Sequence, residues 1–78
     1  MRRYMVVERF RPGCMGLAYE RFHARGRLLP QGLVYIDSWL DREAEVCFQL
    51  MEAADPALFE SWFALWDDLV AFDLHPLE

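Results

Sequence analysis

Lysine, threonine and asparagine are absent from this chain of 78 residues. Without lysine, the protein can form neither a Schiff base with a carbonyl substrate nor a phosphate-binding loop that relies on a lysine. The only two cysteines, Cys14 and Cys47, lie far apart in the sequence, so we expect no disulfide framework. Cysteine and histidine occur singly, and this spacing predicts neither a metal site nor a bound cofactor.

Long hydrophobic runs are missing as well. No stretch approaches the ~20 apolar residues of a membrane span, and the apolar run near the start is too short for a secretory signal. Acidic residues outnumber basic ones by 13 to 8, for a net charge of −5. An acidic chain is a poor ligand for nucleic acid or an anionic membrane. We therefore expect a cytoplasmic protein that binds neither.

The charge is divided between the two halves of the chain. All eight basic residues are arginines at or before Arg42, and with four carboxylates they give that half a charge of +4. The remainder carries nine carboxylates and no basic residue, a charge of −9. Either the halves pack with complementary charge, or the arginines line a site for an anionic ligand. Since 78 residues suffice for one small domain, we expect a single domain over residues 1–78.

Hydrophobic periodicity predicts six elements. Strands are predicted over residues 3–10, 33–40, 45–52 and 70–77, and helices over 14–29 and 55–69. Gly26 is a signal for the end of the first helix, and Asp55-Pro56 marks the start of the second. The order β-α-β-β-α-β predicts an α+β, ferredoxin-like sandwich, in which a four-stranded antiparallel sheet carries both helices on one face.

The middle strands have two faces of different character. Grouping the apolar residues on one face requires an odd number of loop residues between the strands, and it places Asp37, Trp39 and Gln49 together on a mixed face. The apolar face then comprises Val34, Ile36, Leu40, Val46, Phe48 and Leu50. The mixed face is then the exposed one, and an exposed face that is half apolar favours face-to-face packing of two copies, so we expect a homodimer.

Several side chains are candidates for chemistry. His23 and Asp37 are the candidate acid–base groups, and an amide, a carboxylate and an indole on an apolar wall are typical of a small-molecule pocket. Candidate ligand-binding residues are Arg27, Trp39, Gln49 and Trp66. The alternatives are that His23 is a boundary residue of the first helix, and that the mixed face only forms the seam of the dimer.

Two adjacent carboxylates near the end of the second predicted helix require basic partners. Asp67 and Asp68 end the second predicted helix, where negative charge opposes the helix dipole. The basic groups available to offset them are Arg21, Arg25 and Arg27. This pattern predicts a structural salt-bridge cluster or, alternatively, a pocket that receives a carboxylate of a ligand.

Motifs along nearly the whole chain resemble a small uncharacterised bacterial family, described as a domain of unknown function. The matching motifs are MVVERF at residues 5–10, GRLLPQGL at 26–33, Ser38-Trp39, CFQLME at 47–52, Asp55-Pro56, Trp62, WDDL at 66–69 and Phe72. The family is similar in element order to the dimeric α+β barrel superfamily of cofactor-free monooxygenases, isomerases and stress-response proteins. The resemblance implies that fold and a homodimer, and it supplies no catalytic residue.

Three functions are consistent with these observations. The protein could bind a small metabolite, anionic or aromatic, as a homodimer. It could instead be a non-catalytic structural or regulatory dimerisation domain, or a cofactor-free enzyme resembling the monooxygenases or isomerases, with acid–base work by His23 or Asp37.

Overall fold

Four strands and two helices follow one another along the chain in the predicted β-α-β-β-α-β order. The computed structural model describes all residues, 1–78. Its elements are β1 (Arg2–Phe10), α1 (Met15–Arg25), β2 (Leu33–Asp41), β3 (Val46–Ala53), α2 (Ala57–Ala64) and β4 (Val70–Pro76). The ferredoxin-like fold is thus confirmed. Neither helix has the length and apolar character needed to cross a membrane.

The sheet is antiparallel throughout and has the strand order β2-β3-β1-β4. The two central strands are β1 and β3, so each has a neighbouring strand on both sides. The edges are β2 and β4. Pro76 therefore lies in an edge strand, as predicted, where its missing N–H costs no ladder hydrogen bond.

The hydrophobic core lies between the sheet and both helices. Ala18 of α1 and Phe59 and Trp62 of α2 are buried in one cluster with Tyr4 and Val6 of β1. The rings of Tyr4 and Phe59 meet edge to face with their centroids 4.9 Å apart. Burial of this apolar surface is the main force that holds the helices on the sheet.

Helix α1 ends four residues before the predicted end at residue 29. Gly26 follows the helix with φ 71°, a left-handed value that favours glycine, and its N–H donates to the Phe22 carbonyl at 2.7 Å. Gly26 is thus the end signal that the sequence indicated. Residues 26–32, which we call the strap, then lead to β2 and have a left-handed backbone at Gly26, Leu28 and Gly32.

Helix α2 starts where Asp55-Pro56 predicted and ends earlier than predicted. The Ala57 N–H donates to Asp55 Oδ1 at 2.9 Å, which satisfies one free amide of the first turn. After Ala64 the chain continues in tight turns, in which Trp66 N–H bonds to the Phe63 carbonyl. The predicted helical stripe to residue 69 is therefore helix followed by turns, with Trp66 and Leu69 still buried.

The predicted register of β2 and β3 is wrong. Asp41 pairs with Val46, so the loop has four residues rather than an odd number. As a result Cys47, Gln49 and Met51 face the helices and are buried. The apolar set of Val46, Phe48 and Leu50 lies on the other side, which we call the open sheet face. Glu8 of β1 provides a partner for Gln49, and this allows the polar face of β3 to be the buried one.

An irregularity at Ile36 also alters the faces of β2. The pairing shifts between Tyr35 and Asp37, so one extra residue is accommodated there as a bulge. Tyr35 and Ser38 consequently lie on the same, helix-facing side, and their hydroxyl oxygens are 2.6 Å apart. Asp37 and Trp39 lie on the open sheet face. The prediction that Gln49 shares a face with these two residues is therefore wrong.

Candidate functional site

A cavity of about 130 Å³, open on one side, lies between the helix-facing side of the sheet and helix α1. We call it the Glu8 cavity. Most of its wall is apolar or aromatic, with a few polar groups that converge on it, as in small-molecule sites. Its lining residues are Glu8, Phe10, Ala18, Tyr19, Phe22, Arg27, Ser38, Cys47, Gln49, Trp62, Trp66 and Val70.

A carboxyl–carboxamide pair forms the polar centre of the cavity. β1 carries Glu8 on its helix-facing side, two residues after Val6, and β3 carries Gln49 opposite that strand. The two side chains are buried, at 9% and 7% exposed, and Gln49 Nε2 donates to Glu8 Oε1 at 2.6 Å. The hydrogen bond between them thus gives each of these two polar side chains a partner in an otherwise apolar layer.

The environment of Glu8 prepares it for proton transfer at neutral pH. Burial raises the pKa of Glu8 from 4.5 to about 7, while the Gln49 hydrogen bond and the positive charge of Arg27 act in the opposite direction. Both protonation states are therefore populated near pH 7. A carboxyl group with this pKa can act as a general acid or a general base.

Two further titratable groups of the cavity stay protonated. Burial, with the nearby Glu8, raises the pKa of the Cys47 thiol to about 11. Burial likewise raises the pKa of Tyr19 above its ordinary value. Since the nucleophilic form of cysteine is the thiolate, Cys47 is a neutral wall residue at pH 7, and Tyr19 keeps its proton.

The strap closes one side of the cavity through Arg27. The backbone carbonyl of Arg27 accepts the indole N–H groups of both Trp62 and Trp66, at 2.8 and 3.1 Å. Its guanidinium lies 3.6 Å from the ring centroid of Tyr35 and 4.9 Å from that of Phe22. Arg27 makes no ion pair with a carboxylate, so it remains a positive charge at the cavity wall.

Of the three arginines predicted to offset Asp67 and Asp68, which are Arg21, Arg25 and Arg27, only Arg21 forms a salt bridge with Asp68. Its guanidinium makes two hydrogen bonds to the Asp68 carboxylate, at 2.9 and 2.7 Å, and one to the Leu65 carbonyl at 2.8 Å. The hydrogen bonds from Arg21 lower the pKa of Asp68. Arg11 donates to the carbonyl of Asp67 at 2.8 Å. This cluster joins α1 to the end of α2 and is structural.

The structure brings three of the six predicted site residues to the cavity. Arg27, Gln49 and Trp66 line it. Trp39 is 51% exposed on the open sheet face, with Asp37 on the same side. The Asp37 carboxylate accepts the N–H of Ser38, the next residue, at 2.8 Å.

His23 lies outside the cavity. It borders a second groove, between α1 and Arg42 of the β2–β3 loop, which shares Tyr19 and Phe22 with the Glu8 cavity. The His23 ring packs edge to face on Phe22 with centroids 5.7 Å apart. Within the whole chain, no three His, Cys, Asp or Glu side chains converge as a metal-binding group.

Sequence reasoning missed Glu8, the residue with the most altered chemistry in the cavity. A signal for it exists. In β1 the residues Tyr4, Val6, Glu8 and Phe10 alternate with a second set that contains Arg3 and Arg9. The first set is the apolar face of β1, and Glu8 is the carboxylate within it. A charge on a buried face needs a partner, and this requirement is the signal. Tyr19, Ser38 and Cys47 carry no comparable signal.

The fold and the cavity define a ferredoxin-like α+β domain with a half-enclosed pocket between its sheet and its helices. The chain belongs to the family described as Domain of unknown function (DUF3303), whose model matches residues 2–77. No curated protein matches the chain. Among solved structures, the L-rhamnose mutarotase of Formosa agariphila is similar, with 17% sequence identity and a TM-score of 0.57. The similarity covers 100% of this chain and 94% of that one, and it shows a shared fold.

Proposed function

We propose that the Glu8 cavity binds a small metabolite and that Glu8 exchanges a proton with it, without a cofactor. The observation that carries this proposal is the Glu8–Gln49 pair, a buried carboxyl group at the centre of a half-open, largely aromatic cavity. A buried carboxyl with a pKa near 7 is costly for a purely structural core and is typical of catalytic sites. Of the expected functions, the isomerase-like enzyme fits this chemistry.

The reaction that we propose to test first is the interconversion of sugar anomers. The similar structure is that of an L-rhamnose mutarotase. Aromatic walls such as those of this cavity suit the apolar faces of a sugar ring. The proposed substrate is therefore a monosaccharide.

The proposed step needs one base and one acid. Glu8, as a carboxylate, removes the proton of the anomeric hydroxyl, the bond between the anomeric carbon and the ring oxygen breaks, and the ring oxygen takes a proton. Tyr19 lines the same cavity with its phenol protonated and is the candidate donor. Rotation of the open aldehyde and the reverse steps then close the ring as the other anomer.

Anomer exchange can be measured directly by NMR magnetisation transfer. We expect the wild-type protein to accelerate the exchange of one or more aldoses in a panel that includes L-rhamnose. Glu8→Gln should lower the rate by about 100-fold or more, because it removes the acid–base group. Glu20→Gln, an exposed carboxyl of α1, is the matched control and should leave the rate unchanged. Wild-type protein that accelerates no aldose, or equal rates in Glu8→Gln, would contradict the proposal.

We also propose that two copies of the chain associate through their open sheet faces. Val34, Trp39 and Phe48 expose apolar side chains there, with exposed fractions of 44, 51 and 38%. Four charged residues on the same side form two ion pairs, Arg3 with Glu52 and Arg9 with Asp73, while Asp37 accepts the N–H of Ser38. An apolar surface flanked by internally paired charges fits a second, identical surface. This homodimer is compatible with the cavity, which lies on the opposite side of the sheet.

A further inference from the structure

One acceptor in the Glu8 cavity has no hydrogen-bond partner within the protein. Gln49 is 7% exposed, its Nε2 is engaged with Glu8, and its Oε1 accepts no hydrogen bond. Buried polar atoms are almost always paired, because an unpaired one loses its water without compensation. An orphaned acceptor on the wall of a cavity therefore points to a donor that enters the cavity from outside.

The neighbouring hydroxyl and indole groups make their hydrogen bonds with groups other than Gln49. The Ser38 and Tyr35 hydroxyls share one hydrogen bond of 2.6 Å, in which either can be the donor. The indole N–H groups of Trp62 and Trp66 both donate to the Arg27 carbonyl. No group of the chain donates to Gln49 Oε1.

We infer that the ligand of the Glu8 cavity is a neutral small molecule whose hydroxyl or N–H group donates a hydrogen bond to Gln49 Oε1. This inference rests on the proposed function, because it takes the cavity as the ligand site, and it adds the residue that recognises a donor group of the ligand, Gln49. It departs from the anionic ligand that the arginines of the sequence left open.

The two charges at the cavity oppose each other, so neither sign of ligand charge is favoured by both. A carboxylate or phosphate is attracted by Arg27 but repelled by ionised Glu8, and it brings no donor to Gln49 Oε1. An ammonium group is attracted by ionised Glu8 but repelled by the guanidinium of Arg27. A neutral hydroxyl satisfies the orphaned acceptor at no electrostatic cost, and the aromatic wall covers the apolar part of the same molecule.

Three fragments with the same ring separate these properties. Benzyl alcohol has a donor, benzyl methyl ether has none, and benzoate is an anion. At pH 8.5, where Glu8 is ionised, titrations followed by ¹H–¹⁵N NMR should show the alcohol binding about tenfold more tightly than the ether, with benzoate weakest. The Gln49 carboxamide resonances should shift with the alcohol.

Matched variants assign the preference to Gln49. Gln49→Met keeps the length of the side chain and removes the acceptor, so the alcohol and the ether should bind equally. Leu50→Met, on the opposite side of the same strand, should keep the tenfold preference. If Gln49→Met fails to fold, the inference is still tested by the wild-type affinities for the alcohol and the ether and by the shift of the Gln49 carboxamide resonances.

The outcomes distinguish the inference from the function on which it rests. Equal binding of alcohol and ether by the wild-type protein, or tighter binding of benzoate, overturns the inference and leaves the cavity as a ligand site. Failure of all three fragments to bind at the cavity overturns both. An unchanged preference in a folded Gln49→Met variant assigns the donor contact to another group and overturns the inference alone.

Discussion

Glu8 places a carboxyl group among aromatic side chains, where the protonated form is favoured. Burial raises its pKa to about 7, while the Gln49 hydrogen bond and the charge of Arg27 act to lower the pKa. The unfolded chain binds this proton with an ordinary pKa near 4.5, so between the two values the folded protein holds more protons than the unfolded one. Stability therefore falls as the pH rises from about 4.5 to about 7.

This linkage predicts a pH-dependent effect of Glu8→Gln. The substitution removes the charge and keeps a group that can accept the Gln49 hydrogen bond. At pH 8.5 it should raise the free energy of unfolding by up to about 3 kcal/mol, and near pH 4 it should change it little. Urea unfolding at the two pH values measures the difference. Glu20→Gln serves as the control, and an equal effect of Glu8→Gln at both pH values would contradict a raised pKa.

The Arg21–Asp68 pair has the opposite pH behaviour. Because Arg21 lowers the pKa of Asp68, the stability that the pair contributes is present above the ordinary carboxyl pKa and is lost as the pH falls through the lowered value. Both groups are accessible to solvent, so the contribution is small and screened by salt. The pair's main effect is geometric, since it fixes the end of α2 against α1.

At the scale of the elements, the strap depends on a glycine. Gly32 has φ 95°, and a Cβ at this position would lie 3.0 Å from Leu58 Cδ1 of α2. Both the left-handed backbone and the contact favour glycine here. At Gly32 the strap thus lies close to Leu58 of α2, which leaves little room for a side chain.

We predict that Gly32→Ala destabilises the protein by about 1–2 kcal/mol, because alanine adds backbone strain and crowds Leu58. Gly16→Ala is the matched control. Gly16 is in the first turn of α1, and a Cβ there meets nothing within 4 Å. That substitution should be neutral or stabilise by about 0.5 kcal/mol, through helix propensity. Thermal unfolding distinguishes the two, and a neutral Gly32→Ala would show that the strap is not constrained at this residue.

The order of the elements could be predicted from the sequence, because each strand and helix has its own periodicity and Gly26 and Asp55-Pro56 mark two helix ends. The sequence does not allow a prediction of which face of β3 is buried. Val46, Phe48 and Leu50 form as good an apolar set as Cys47, Gln49 and Met51, and only the pairing with β1 decides between them. The bulge at Ile36 leaves no signature in the alternation of β2. The sequence therefore predicts a pocket between sheet and helices near Gln49 and Arg27, but it wrongly adds Trp39 to that pocket and does not indicate Glu8 as its polar centre.

At the scale of the whole molecule, we propose different roles for the two sides of the sheet. The helix-facing side contains the core and the Glu8 cavity, and the open sheet face is the proposed dimer interface. The predicted packing of the oppositely charged halves is seen in three ion pairs between an arginine of the first half and a carboxylate of the second. These pairs are Arg3–Glu52, Arg9–Asp73 and Arg21–Asp68.

A homodimer through the open sheet face makes a clear prediction for Trp39→Glu. Two new carboxylates would be buried at the proposed interface, so the variant should sediment as a monomer at micromolar concentration while the wild-type protein sediments as a dimer. Leu17→Glu, which adds the same charge at an exposed apolar residue of α1, should remain a dimer. A monomeric wild-type protein, or a dimeric Trp39→Glu variant, would contradict this assembly.

The central claim is that Glu8 is a buried acid–base group poised near neutral pH, and its titration tests this most directly. The ¹³Cδ resonance of Glu8, assigned by its loss in Glu8→Gln, should titrate in the wild-type protein with a midpoint of about 7. A midpoint near the ordinary value of 4.5 would contradict the account, because Glu8 would then be a solvated carboxylate rather than a proton carrier in a ligand cavity.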